Sequence, residues 1–169
     1  VGRLSGDFEP VELARCARRA VEDLSERIEE TGATVDVGEL PAVEGEANLL
    51  TAVFLNLIGN ALKFRRPGVA PAVSVGSADR GDHWEIWVAD NGIGIEPEHV
   101  DRVFVIFQRL HAREAFTGTG IGLALCRRIV EHHDGQIWVD PHVEEGTTIR
   151  FTLPKARPAA DRPDAASGS

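Results

Sequence analysis

Three scarce polar residues of this chain fall within eight positions, in the pattern Asn56-x-x-x-Asn60-x-x-Lys63. The sequence holds only four asparagines and two lysines, and the neighbours Phe54, Leu55, Leu57 and Ile58 are apolar. On a helix, Asn56 and Asn60 lie one turn apart on one face, and amides in apolar surroundings need partners. Two readings follow. Either this is a helix edge hydrogen-bonded to a loop, or it is the wall of a polar pocket, with an amide oxygen for a hard cation and a lysine for phosphate. Asp90-Asn91-Gly92-Ile93-Gly94-Ile95 ends an alternating apolar run. It reads as a turn with a capping aspartate, or as an acceptor carboxylate at a sheet edge whose glycines let a flat ligand lie against the backbone. Gly118-Thr119-Gly120-Ile121-Gly122-Leu123 runs into a helical pattern, where exposed N–H groups can hold phosphate oxygens. It follows no strand-like run and lacks both the G-x-G-x-x-G and the G-x-x-x-x-G-K-[ST] spacing, which disfavours a dinucleotide site and excludes a P-loop. Gly146-Thr147-Thr148 reads by itself as a turn.

The elements that must position these residues can be drawn from periodicity. Residues 7–32 read as a first helix, with Pro10 in its first turn, Leu13, Ala17, Ala20, Val21, Leu24 and Ile28 on one face, and Gly32 as its stop. Residues 33–37 alternate as a short strand. Residues 46–64 form a second helix, broken by Arg65–Pro71. Residues 72–77 and 83–90 are two strands of a hairpin turned by Asp79-Arg80-Gly81-Asp82. Residues 97–103 suit a short helix, and 121–133 a third long one stopped at Asp134-Gly135. Residues 136–140 and 147–153 complete the strands. Helices and hairpin-joined strands without a strict β-α-β rhythm predict an α+β two-layer sandwich, a mixed sheet with about three helices on one face.

Composition narrows the function. The 169 residues suit one domain with a sizeable core. A net charge of −9 leaves no basic surplus for nucleic acid. No apolar run is long enough to span a membrane, and no signal peptide is visible. Cys16 and Cys126 build neither a disulfide framework nor a four-ligand zinc site, and as buried free thiols they suit a reducing, cytoplasmic setting. The chain has no methionine and begins with Val1, so it is expected to be a piece of something longer: residues 1–6 a linker from a missing upstream domain, 7–154 the folded domain, and 155–169 a disordered tail.

Taken together and in this order, the segments resemble the ATP-binding catalytic domain of bacterial sensor histidine kinases, within the wider ATPase group of DNA gyrase, the heat-shock chaperone of the same fold and the mismatch-repair ATPases. Residues 56–64 (NLIGNALKF) resemble the family's N box, 90–95 (DNGIGI) its first glycine box, 103–110 (VFVIFQRL) its phenylalanine box, 118–125 (GTGIGLAL) its second glycine box and 145–151 (EGTTIRF) its third. The resemblance implies a Bergerat-type ATP-binding fold with ATP and Mg²⁺ as cofactors. It implies that Asp90 accepts the adenine amino group, that Gly92 and Gly94 admit the base, and that Thr147 helps hold that end. Asn60 would coordinate Mg²⁺, with Asn56 a second, less secure ligand, while Lys63 would reach the phosphates and Phe64 pack near sugar or base. Gly118, Thr119, Gly120, Gly122 and Leu123 would cradle the phosphate tail. Residues 109–119 would form a lid, with Arg109 meeting the γ-phosphate and His111 and Arg113 in the same region.

Asn56 stands where hydrolysing members of the group resemble one another in a water-activating glutamate. An amide cannot take that proton, which keeps the γ-phosphoryl group for a histidine acceptor. None of the six histidines lies in a segment resembling the family's acceptor box, and His132 and His133 are expected to cap the third long helix. The acceptor is then a separate dimerisation domain of the same protein, with a response-regulator receiver domain downstream. Nucleic acid and membrane are not expected partners. The fragment is expected to be monomeric and its parent homodimeric. Val105 departs from the acidic residue more usual there, and residues 106–111 (IFQRLH) resemble the phytochrome-type subset. The alternative is a nucleotide-binding regulatory domain of a protein acting mainly as response-regulator phosphatase. The phenylalanine box counts against an anti-sigma serine kinase, and Asn56 against an ATP-driven clamp.

Overall fold

A computed structural model describes residues 8–94, 119–143 and 145–155, with residues 119–122 as backbone only. Seven strands and four helices are present among them: β1 (Glu9–Glu12), α1 (Leu13–Asp23), α2 (Ser25–Thr31), β2 (Thr34–Val37), β3 (Ala42–Gly45), α3 (Ala47–Lys63), β4 (Ala72–Asp79), β5 (His83–Asp90), α4 (Thr119–His132), β6 (Ile137–Val139) and β7 (Thr147–Pro154). The main sheet has the order β2-β4-β5-β7-β6, parallel between β2 and β4 and antiparallel elsewhere. The expected mixed sheet is therefore found. The segment 97–103, the phenylalanine box and residues 1–6 and 156–169 lie outside the described residues.

Strand periodicity decides which face is covered. Val73 and Val75, Ile86 and Val88, Ile149, Phe151 and Leu153, and Val139 point one way and are buried. Helices supply the other half of the core: Leu13, Cys16, Ala17 and Ala20 from α1, Leu50, Val53, Phe54, Leu57, Ile58, Ala61 and Leu62 from α3, and Leu123, Cys126, Ile129 and Val130 from α4. Phe54 meets Phe151 edge-on, ring centres 5.9 Å apart, joining the layers at the middle of the molecule. Both cysteines are buried and unpaired, as expected, and burial pushes the Cys126 thiol up to about 12. On the opposite face of the sheet Arg150 lies over the Trp87 ring at 5.3 Å and bonds Glu85 and Asp140 at 2.9 and 2.8 Å.

The expected first helix is corrected. Residues 9–12 alternate with period two, only Val11 facing inward, and pair antiparallel with β3 in a separate ribbon that sequence reading missed. Pro10 sits in that strand rather than in a helical turn, a place where its missing N–H is tolerated. Leu24, with φ −100° and ψ 9° and its side chain buried, then divides the remaining helix in two. Gly32 is the stop, with φ +71°. At the other end of the chain, Lys155 is held by Asp79 at 2.7 Å and lies over Trp84.

His132 and His133 end the helix as expected, with His133 bonding a last-turn carbonyl, and they also hold a junction that the sequence did not show. His132 Nε2 lies 2.7 Å from the Glu46 carboxylate, with both side chains almost fully buried. The Glu46 N–H donates to His133 Nε2 at 3.1 Å, and His133 Nδ1 donates to the Ile129 carbonyl at 2.8 Å. The imidazole of His133 fits because Gly45 beside it has no side chain, and Phe8 stacks on its other face with centres 4.9 Å apart. Burial holds the His133 pKa below the ordinary range, so the ring is neutral at pH 7.

Two outcomes test this packing. Phe151→Ala is expected to cost about 3–5 kcal/mol in urea unfolding. The depressed His133 gives stability that is present above the ordinary histidine pKa and falls as pH drops below about 6.5. His133→Gln is expected to lower stability at pH 7 and flatten that acid limb, both read from urea midpoints against pH.

Candidate functional site

The site is built where three backbone segments meet at one end of β5. Asp90, the last residue of that strand, is registered opposite Val73 on β4 and Thr147 on β7. Its Oδ1 accepts the Gly92 N–H at 2.8 Å and the Thr147 N–H at 3.1 Å. Among the described residues nothing bonds Oδ2. Burial raises the Asp90 pKa above the usual carboxylate value, against the pull of those two amides. The carboxylate is thus held in place by its first oxygen and incompletely solvated, with the second oxygen left to accept from a ligand.

The loop after Asp90 is fixed to the end of α3. The Ile93 N–H donates to the Phe64 carbonyl at 3.0 Å. Gly92 packs so tightly over that same carbonyl that a Cβ would run into it. Gly146 has φ +72°, and a Cβ there would strike the Asp90 carbonyl, so the turn before β7 also needs glycine. Asn91 turns away from the site and stitches the loop to the start of β4: its Oδ1 accepts from Ala72 N–H at 2.9 Å and its Nδ2 donates to the Ala70 carbonyl at 3.2 Å. Arg66 Nε donates to the Gly92 carbonyl at 3.0 Å, and its guanidinium lies 3.6 Å from Glu145. Arg66, Asn91 and Gly146 are positioning residues that sequence reasoning missed. For Asn91, an asparagine before glycine signals a turn, while nothing in the spacing marks Arg66.

Helix α3 carries the polar stripe. Asn56 and Asn60 do not behave alike. Asn56 Nδ2 donates to the Ala52 carbonyl of its own helix at 2.8 Å, which fixes the amide and leaves Oδ1 as an acceptor. Asn60 Nδ2 is buried with no hydrogen-bond partner, the only such side-chain nitrogen or oxygen among the described residues. Leaving a buried amide unpaired costs about 1–3 kcal/mol, so the position calls for a polar partner. A half-turn of the carboxamide exchanges its two ends, so Asn60 can offer N–H to a phosphate oxygen or its oxygen to a hard cation. Asn60 therefore fits a Mg²⁺–phosphate group. Lys63 ends the helix one turn later, and Phe64, 38 % exposed, and Ile93, 58 % exposed, leave apolar surface there.

Thus the structure brings Asn60, Lys63 and Phe64 together with Asp90, Gly92, Gly94 and Thr147. Thr119, Gly120 and Gly122 fall in the first turn of α4, which packs beside α3 through Cys126, whose Sγ faces the Val53 carbonyl at 3.9 Å. The Leu123 side chain is buried in the core, 3 % exposed, so only its backbone could meet a ligand. Arg109, His111, Arg113 and Gly118 lie outside the described residues.

Known proteins agree with this geometry. The family described as histidine kinase-, DNA gyrase B- and HSP90-like ATPases matches residues 45–157. The chain belongs to this family. Cyanobacterial phytochrome A of Nostoc sp. is 46% identical over 147 residues, 87% of this chain and 19% of that protein. The chain spans about a fifth of the length of the cyanobacterial phytochromes it matches. Among solved structures, the mycobacterial sensor histidine kinase MprB superposes with a TM-score of 0.73 at 31% identity, covering 87% of this chain and 97% of that one. Full-length ShkA in complex with AMPPNP does so with a TM-score of 0.74 at 27% identity, covering 92% of this chain and 32% of that one. As a histidine kinase-type ATPase domain, the chain is an ATP-binding module.

The loop anchor can be tested apart from any ligand. Asn91→Ala removes two hydrogen bonds and is expected to cost about 1–2 kcal/mol in urea unfolding. Gly146→Ala is expected to cost more than a helix-surface glycine replacement, because the Asp90 carbonyl must move.

Proposed function

We propose that this domain binds ATP with Mg²⁺ and gives the γ-phosphoryl group to a histidine on a separate dimerisation domain, for relay to the aspartate of a response regulator. The observation that carries the reading is the Asp90 carboxylate, fixed by two backbone amides through one oxygen and, among the described residues, with no partner on the other. It suits a neutral donor such as the adenine amino group, and the similar kinase ShkA has been solved with AMPPNP bound, which supports a nucleotide as the ligand. Gly92, Gly94 and Thr147 border the base, and Phe64 offers apolar surface to base or sugar. Asn60 answers the phosphate end with its unpaired amide, Lys63 adds positive charge, and the backbone of Thr119, Gly120 and Gly122 opens α4 towards anionic oxygens.

Asn60 would hold Mg²⁺, with Asn56 the second residue whose oxygen is left for it. The bound cation supplies charge neutralisation across the phosphates. This chain's own task is to align the γ-phosphoryl group and limit its loss to water. Asn56 cannot accept a proton at neutral pH, and its Nδ2 is held by the Ala52 carbonyl. In the transfer, an imidazole nitrogen of the acceptor bonds to γ-phosphorus as the bond to the β–γ bridging oxygen breaks, and ADP leaves with that electron pair. Arg109 and Gly118 complete the phosphate end on the resemblance alone. No observation favours the mainly phosphatase alternative.

Calorimetric titration of a non-hydrolysable ATP analogue, with and without Mg²⁺, tests the reading. The expected result is Mg²⁺-dependent binding that Asp90→Asn weakens about ten- to a hundredfold, the loss of a charge-assisted hydrogen bond of about 1.5–3 kcal/mol. Because Asp90 is raised by burial, its ionisation subtracts from stability at neutral pH. Asp90→Asn, which keeps an acceptor for Gly92 and Thr147, is therefore expected to unfold no earlier than the parent. Equal affinity in the folded variant, or no binding at millimolar analogue, would overturn the site. Transfer of labelled γ-phosphate to an added dimerisation domain tests the acceptor separately.

A further inference from the structure

We infer that the groove between α1 and the start of α3 is a docking surface for an acidic segment of a partner protein. Arg15, Arg18 and Arg19 line it from α1, and Ala47, Asn48 and Thr51 from α3, with Cys16 in its floor and Glu22 as its one acidic group. The three arginines and Asn48 are exposed. Most other basic side chains are engaged: Arg27 on the Gly59 carbonyl, Arg66 on Glu145, Arg80 on Glu85, Arg127 on Glu131, Arg150 on Glu85 and Asp140, and Lys155 on Asp79, while Arg65 and Arg128 stand singly elsewhere on the surface. Arg15, Arg18 and Arg19 have no ion pair or hydrogen bond among the described residues. In a chain of net charge −9, three neighbouring arginines against the one carboxylate of Glu22 leave this groove a local positive excess.

Spacing selects the occupant. Arg15 and Arg19 are four residues apart on one helix, about 6 Å along its axis. Carboxylates four residues apart on a partner helix repeat at the same interval and can each accept a guanidinium fork. A polyphosphate chain or nucleic acid would have to bring dense negative charge against the acidic remainder of the protein, so an acidic polypeptide with intermittent carboxylates is the better fit. The surface is also separate from the nucleotide residues: Asn48 and Asn60 lie at opposite ends of α3, about 18 Å apart along the axis.

The test is an NMR titration of the chain with a synthetic helical peptide bearing glutamates four residues apart. Shifts are expected at residues 15–19 and 47–51, fading as salt is raised. Arg15→Ala/Arg19→Ala is expected to weaken binding about tenfold, two exposed pairs being lost, and Arg15→Glu/Arg19→Glu to abolish it. An unchanged melting temperature and unchanged affinity for the ATP analogue in both variants separate this from misfolding or failure of the nucleotide site. The inference is overturned if the peptide shifts nothing in the groove, if a glutamine version of it binds equally well, or if duplex DNA or inorganic phosphate gives the same shifts in place of the peptide.

Discussion

Helix α3 has almost no face of its own to spend on polar residues, and the rest of the structure follows from that crowding. It lies between α1, α4 and the sheet, with eight of its seventeen residues buried. Away from its exposed start, a polar side chain there bonds back to its own helix, as Asn56 and Thr51 do, or keeps an unsatisfied N–H, as Asn60 does. The helix that forms the middle of the core therefore also forms one wall of the site. Its last carbonyls then receive the loop that follows Asp90, so the two halves of the site are joined through backbone rather than through side chains free to drift.

Much of this was legible in the sequence, and the parts that were not have physical causes. Strand β5 was read with its bounds intact because His83–Asp90 alternates cleanly and ends in turn residues. Helix α3 was read within a residue at each end because its apolar stripe is long. The first segment misled because Pro10 and a run of helix-forming residues suit a helical start, whereas the pairing of β1 with β3 is a contact across more than thirty residues that no local pattern announces. The roles of His132 and His133 were hidden for the same reason: their partner Glu46 lies 86 and 87 residues away in the chain. Within the site, residue types chosen for chemistry stood out, while those chosen for geometry did not. Asp90 and Asn60 could be named from their surroundings, but the need for Gly146 arises only once the Asp90 carbonyl is brought against it.

Charge is distributed with similar economy of partners. Outside the α1 groove most basic side chains are matched to acids or carbonyls, and the outer sheet face seats Arg150 between two carboxylates and an indole. The buried histidine pair works differently, since a neutral ring and a carboxylate share one backbone junction where β3 turns into α3, with Phe8 stacked on His133 and edge-on to His132. The start of the described chain and the end of α4 are consequently packed against each other.

Asp90 belongs to both of the two longest strand pairings, flanked by neighbours on both sides. Amides in such central strands exchange with solvent only through the largest openings a domain undergoes. A partly frayed molecule that has shed β2 or β6 at the sheet edges would still keep the carboxylate and its two amide donors aligned. A ligand held there gains nothing from those small openings and resists only the global one, so at a hundredfold excess over its dissociation constant it adds about 2.7 kcal/mol to the unfolding free energy of the whole domain. Occupancy of the site would accordingly be registered as resistance to proteolysis throughout the core, far beyond the residues that touch the ligand.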